Sequence, residues 1–303
     1  MMKNRSVQNL AVMLTKRKLY WIAILLLPAF FVAFFIYYPV LHTIGLSLFS
    51  GRGAGLTFSG LNNFVHLFSD VIFADAFFNT LTFAIVQTPL MIVLSMILAS
   101  ALLRISPKIR TVLTVLLFLP FVVSPVVYSI FFKNLFFNDG ILNNLLLAVG
   151  ILDSPINWLL DPVSAKIIIV LTCTWAWSGY YILLFASAFN RINPSMIEAA
   201  KIDGISDFRI LTRIKLPSIL PVTFFCLLVG FANAVQIFAE TMIITAGGPQ
   251  NQTLSLMQYV YELCFVNFPQ FGYAAAVSLI TILLGVFLLS LQYIFGGLYE
   301  KQN

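Results

Sequence analysis

The chain has 303 residues, of which 60% are hydrophobic and only 9% charged; an ordinary soluble domain is about 45–50% apolar and about 25% charged. Its 30 Phe, 11 Tyr and 4 Trp exclude a disordered chain, which is poor in aromatics. With a mean hydropathy of +0.98, what remains is a polytopic membrane protein.

In chain order, a basic tail at 1–19 leads into a window at 20–41 that holds no Asp, Glu, Lys or Arg. Five more such windows follow, at 76–103, 111–132, 167–189, 217–239 and 272–297, and a short tail occupies 298–303. Each window has 22 to 28 residues. A spanning helix needs about 20, whereas a barrel strand has only about 9–11. The sequence therefore predicts an all-α protein with six transmembrane helices within 20–297. The first window is longer than the apolar part of a signal peptide, contains Pro28 and ends without a small-residue cleavage motif, so it reads as an uncleaved span.

The connections are uneven. The stretch 42–75 has turn signals at Gly51, Gly53, Gly55 and Gly60. The stretch 133–166 holds an apolar run at 141–152, too short to span and expected at the interface. The stretch 240–271, with Gly247-Gly248-Pro249, reads as a third external loop. Trp158, Trp175, Trp177, Tyr180 and Tyr181 near the start of span four predict an aromatic belt. Pro89, Pro120 and Pro125 predict kinks in spans two and three. Cys173 and Cys226 fall inside spans, where a thiol packs as a small apolar group.

Of 17 Lys and Arg, only Arg52, Lys133 and Lys166 lie on the side opposite the termini. The positive-inside rule then places both termini in the cytoplasm. The net charge of +6 is explained by basic residues beside anionic lipid, with no nucleic acid.

The cytoplasmic connection 190–216 holds eight of the 28 charges. Pro194 suits a first helical turn. Ser195 and Glu198 have capping-box spacing, and Gly204 suits a left-handed helix end. Ser206 or Asp207 is placed to cap a second helix. Local physics leaves two readings open: a solvated connector, or a stiff docking helix whose small residues, Ala199 and Ala200, enter a partner's groove.

This loop carries a resemblance to a known family. Glu198-Ala199-Ala200, then Asp203-Gly204, nine residues, and Ile214-x-Leu216-Pro217 resemble the EAA motif of ABC importer permeases. Pro221 and Asp203 resemble the carbohydrate-uptake branch. Other segments are similar too: Phe58–Phe64, Asn79-Thr80-Leu81, Leu119-Pro120 with Ser124, Gly140-x-x-Asn143, Trp175 with Gly179, Thr245–Pro249, Tyr261-Glu262 and Gly272-Tyr273-Ala274. The likeness covers about 20–297 and is strongest to the first, maltose-type permease of a sugar importer. It implies a type I ABC importer architecture in a bacterial or archaeal cell membrane. It implies four kinds of partner: a second homologous permease, two ATP-binding cassette subunits, an external sugar-binding protein and a carbohydrate. Glu198, Ala199, Ala200, Asp203, Gly204, Ile214, Leu216 and Pro217 would then couple the chain to the ATPase.

The residues agree with that division of labour. No Walker A loop occurs, because Gly-Lys never appears, so ATP and Mg would be bound by the partner. No zincin motif, nucleophile elbow or Cys/His metal spacing occurs either, so the chain reads as a non-catalytic subunit. The alternative is a secondary transporter working without an ATPase, but such proteins carry ionisable groups within their spans, and the six windows hold none. For the substrate pathway, Asn233, Gln236 and Glu240 are spaced for one face of a single helix, and Tyr180 is a further candidate. From the residues alone, lining a pathway and bonding to neighbouring helices both remain open; the resemblance favours lining.

Overall fold

The computed structural model describes residues 24–51, 55–266 and 268–300. The N-terminal tail, the start of the first window and residues 301–303 lie outside them. Among the described residues, helices and one small hairpin are the regular elements. Helix α1 (Ile24–Leu46) has no buried side chain, so its apolar surface is left for lipid or another subunit. The hairpin β1 (Phe49–Ser50) and β2 (Thr57–Phe58) pairs Phe49 with Phe58, and α2 (Asn62–Leu67) follows.

The bundle is built on two long helices, α3 (Val71–Leu102) and α7 (Pro162–Phe189). Both start on an aspartate cap. Asp70 accepts the Ile72 amide at 2.9 Å, and Asp161 accepts the Ser164 amide at 2.8 Å. Their shared core includes Met91, Ile92 and Met96 of α3 and Tyr181, Ile182 and Phe185 of α7. Helix α12 (Phe271–Glu300) closes the other side.

Two predicted spans are not single helices. The third breaks between α4 (Pro107–Val122) and α5 (Pro125–Phe136), and the run Pro125–Ala148 as a whole is bent by 97° from α4. Pro125 has no N–H, its ring would clash with the carbonyl four residues back, and it pushes Ser124 into an extended conformation (φ −57°, ψ 139°). The fifth breaks at Ile219, between α9 (Asp207–Ser218) and α10 (Leu220–Val235), with a bend of 80°. There Pro221 opposes the carbonyl of Pro217 in the same way. Hydropathy reports apolar length and cannot register these breaks. Four helices are long and apolar enough to cross a membrane, and six spans result if each bent pair is one.

Two further expectations are corrected. The aromatic group does not form a belt: Trp175 lies 13 residues into α7, about 20 Å along it at 1.5 Å per residue, and Tyr181 is fully buried. Nor is 240–271 simply a loop. After a wide turn at Thr241–Thr245 and α11 (Leu256–Val266), it is packed into the bundle, with Thr253, Ser255 and Gln258 at 0% exposure. The backbone of this segment is tied to α3. Asn79 Nδ2 donates to the carbonyls of Asn251 (2.7 Å) and Leu254 (3.1 Å), and Thr80 Oγ accepts the Leu256 amide at 2.9 Å.

Several motif residues therefore serve packing. Asn63 Nδ2 donates to Ser47 O and Phe49 O, both at 2.7 Å. Buried Asn143 bonds to Asn138, Ile156 and Trp158, joining α6 (Ile141–Ala148) to the chain before α7. Gly179 lets α7 approach α4 so closely that an added Cβ would sit 2.2 Å from Leu117 O.

Candidate functional site

Two features stand out: a helix protruding at the basic end of the bundle, and a polar cavity within it. The protruding helix is α8 (Pro194–Ile202). Its cap is Asn193, not Ser195. Asn193 Oδ1 accepts the Ser195 amide at 3.1 Å and the Ser195 hydroxyl at 2.9 Å, so the expected Ser195–Glu198 capping box does not form. Pro194 takes the first position and pre-sets its φ, which moves the cap one residue upstream of where Ser195 needs it. The far end behaves as the sequence predicts. Gly204 is left-handed (φ +72°), its amide bonds to Lys201 O at 3.1 Å, and the Ile205 amide reaches back to Ala200 O at 3.0 Å. This pair of bonds is a Schellman motif.

Ala200 is buried against the bundle, whereas Glu198, Ala199 and Asp203 are exposed. Ile202 and Phe208 are exposed as well, at 85% and 73%. They form an apolar surface beside Glu198 that the sequence reading did not single out, although two bare apolar side chains in a charged loop were a visible signal. Ile214 and Leu216 are half-buried, and Pro217 is exposed at the bend. Arg104 from the α3–α4 turn forms an ion pair with Asp207 at 2.7 Å. Buried Lys215 donates to Ser100 Oγ at 3.1 Å and lies 5.2 Å from the centre of the Phe189 ring. The loop is thus tied to both central helices.

The cavity has a volume of about 280 Å³. Gln87 of α3, Tyr128 of α5, Trp177 of α7, Asn233 of α10, Gln236 and Glu240 supply its polar groups. The three span-five residues reach it by a different route from the one expected. Helix α10 stops at Val235, and Gln236 leaves helical geometry (φ −95°, ψ 10°), so they do not share one helical face. Ser255 takes the Ile237 carbonyl at 2.7 Å in place of an intrahelical bond, and the chain turns there. The turn still brings Asn233, Gln236 and Glu240 to one cavity. Glu240 is 6% exposed and accepts a hydrogen bond from the Tyr128 hydroxyl. Gln236 Nε2 donates to Ala232 O at 3.0 Å. No Lys, Arg or His lines the cavity among the described residues. Tyr180 stacks on Phe121 at 5.2 Å and is not among the lining residues. Gln87, Tyr128 and Trp177 were missed, because only the tertiary fold brings them to span five.

At the opposite end, Asp70 Oδ2 accepts hydrogen bonds from the hydroxyls of Tyr259 and Tyr273, both at 2.5 Å. Burial raises the Asp70 pKa, but these hydroxyls and the Phe73 and Ile72 amides outweigh it and hold the carboxyl below its ordinary value of 3.8. This clasp joins the start of α3 to α11 and α12.

A bundle of bent apolar helices around a polar cavity, with an exposed helix at one end, fits the class of membrane permease subunits. The chain belongs to the family of binding-protein-dependent transport system inner membrane components, which matches residues 91–297. It is 42% identical over 268 residues to the lactose transport system permease protein LacF of Rhizobium radiobacter, a match covering 86% of this chain and 89% of that one. It is 28% identical to the trehalose/maltose transport system permease protein MalF of Thermococcus litoralis, covering 88% and 90%. Its fold matches a chain in the crystal structure of a bacterial ABC transporter that imports the acidic polysaccharide alginate, with a TM-score of 0.80, 22% identity and coverage of 93% and 96%.

Proposed function

We propose that this chain is one of two permease subunits of an ATP-driven sugar importer in a prokaryotic cell membrane, with both termini cytoplasmic. A second homologous permease completes the pathway, and an external binding protein delivers the sugar. Two ATPase subunits bind ATP and Mg, and one of them docks on α8 of this chain, where Glu198, Ala199, Asp203, Ile202 and Phe208 form the contact. Gly204, Ile214, Leu216 and Pro217 pass the movement of α8 to α10.

The observation that carries the substrate side of this reading is the cavity. Amide, phenol, indole and carboxylate groups converge in an otherwise apolar bundle, the chemistry that binds sugar hydroxyls. Its 280 Å³ is just below the range of about 300–1,000 Å³ for ligand pockets, as suits half of a site shared with a second permease. The similarity to LacF makes lactose the first sugar to test. In proteoliposomes of the whole complex, Glu240→Gln and Gln236→Ala should alter sugar-dependent uptake while assembly is unchanged. Unaltered uptake in both variants, across sugar concentrations, removes these residues from the pathway.

A further inference from the structure

A second cleft, of about 740 Å³, lies at the basic end, where α8 and α9 meet the ends of α3 and α7. Phe189 and Ile197 contribute apolar wall, and Arg104, Lys201, Asp207 and Lys215 contribute charge. Lys215 is only 8% exposed. Its hydrogen-bond partner is the neutral Ser100 hydroxyl, and no carboxylate pairs with it among the described residues. The single carboxylate lining the cleft, Asp207, is committed to Arg104. A buried ammonium without a bonded counter-charge is strongly unfavourable; among the described residues Asp207 reaches Lys215 only through space, its carboxylate being bonded to Arg104.

We infer that this cleft binds a phosphate group, with Lys215 as the buried anchor and Lys201 and Arg104 at the rim. The inference goes beyond the sugar pathway and does not depend on it. Two sources carry the same chemistry: the headgroup of an anionic phospholipid and a soluble phosphate. Basic pockets between membrane helices are suited to headgroups, and Phe189 and Ile197 offer apolar surface beside the charge. A phosphate held here bridges α8 to the ends of α3 and α7, so its occupancy sets how firmly the 190–216 loop is held to the bundle.

The test uses the chain purified with its co-eluting subunits. In one arm, the complex in phosphatidylcholine nanodiscs is titrated with inorganic phosphate by calorimetry. In the other, nanodiscs containing phosphatidylglycerol are analysed by native mass spectrometry for retained lipid. Saturable binding is expected in at least one arm, and the arm that responds identifies the source. Lys215→Met should weaken it by about tenfold or more, as expected for loss of a charge-assisted contact. Lys215→Arg should retain it, and Lys108→Gln, an exposed change outside the cleft, should leave it unchanged. Absence of binding in both arms, or equal binding by Lys215→Met, overturns the inference. A carbodiimide crosslink from Lys215 to a carboxylate of a co-eluting subunit also overturns it, because the counter-charge is then a protein side chain. If Lys215→Met does not assemble, Lys201→Gln decides: weaker binding supports the site and unchanged binding contradicts it.

Discussion

Replacing Gly204 tests whether the loop works through its backbone shape. Gly204 has φ +72°, and an added Cβ would meet nothing within 4 Å. Side-chain bulk is therefore not the obstacle. The penalty is the left-handed conformation itself, about 1–2 kcal/mol for an ordinary L-residue and at the upper end for a β-branched one. An energy of that size lowers the population of the native turn about 5- to 30-fold. The Schellman bonds from Gly204 and Ile205 depend on the turn, and with them the angle between α8 and α9. Asn tolerates this region better than other non-glycine residues. The expected order of sugar uptake is Gly204 at or above Asn, then Ala, then Val, all at wild-type membrane abundance. Uptake and abundance are measured together, by radiolabelled sugar and by blotting of membranes. Wild-type uptake by Gly204→Val refutes the reasoning. So does an Asn variant as poor as Val, because bulk rather than φ would then be responsible.

Three more outcomes follow from the packing and the charges. Gly179→Ala and Gly272→Ala should each lower the melting temperature in detergent, since their added Cβ atoms would meet the backbone at 2.2 Å (Leu117 O) and 1.8 Å (Phe49 O), and overpacking costs about 1–3 kcal/mol. Gly285→Ala, with nothing within 4 Å, is the matched control, and equal melting of all three contradicts the packing account. The Arg104–Asp207 pair is 52% and 56% exposed, so a double-mutant cycle should return only about 0.2–1 kcal/mol, declining with added salt; a larger, salt-insensitive coupling would contradict this. The folded Asp70 pKa is lowered, so its stabilising contribution is present above its ordinary value of 3.8 and is lost as the pH falls through the lower folded value. The melting-temperature gap between wild type and Asp70→Asn should therefore narrow as the pH drops below that ordinary value, and a constant gap would show that the clasp does not depend on the charge.

The legible part of the fold was the part set by composition. Charge-free windows marked where apolar helices lie, because charge is excluded from lipid however the helices are arranged. The break at Ser124 was signalled by Pro125, though not its size, whereas the break at Ile219 was hidden, since it depends on which carbonyl a proline ring meets. How firmly the segment 240–266 is packed was hidden for a related reason. Its Thr253, Ser255 and Gln258 look solvated in sequence, yet part of what pins the segment lies about 170 residues away, in Asn79 and Thr80 of α3. The site divided along the same line. Gly204 was readable because left-handed turns have a local sequence signature. Asn233, Gln236 and Glu240 do reach one cavity, but not through the helical spacing that grouped them, because the helix ends before two of them. Gln87, Tyr128 and Lys215 were not readable, because their roles come from neighbours distant in the chain.

If this permease works as one half of an ATP-driven pathway coupled through α8, its partners should travel with it. Purification of the chain from its native membrane in mild detergent, with mass spectrometry of what co-elutes, tests it most directly. A second permease carrying its own E-A-A loop is expected, together with an ATPase carrying a Walker A motif. Recovery of the chain alone, after crosslinking in intact cells, would contradict it.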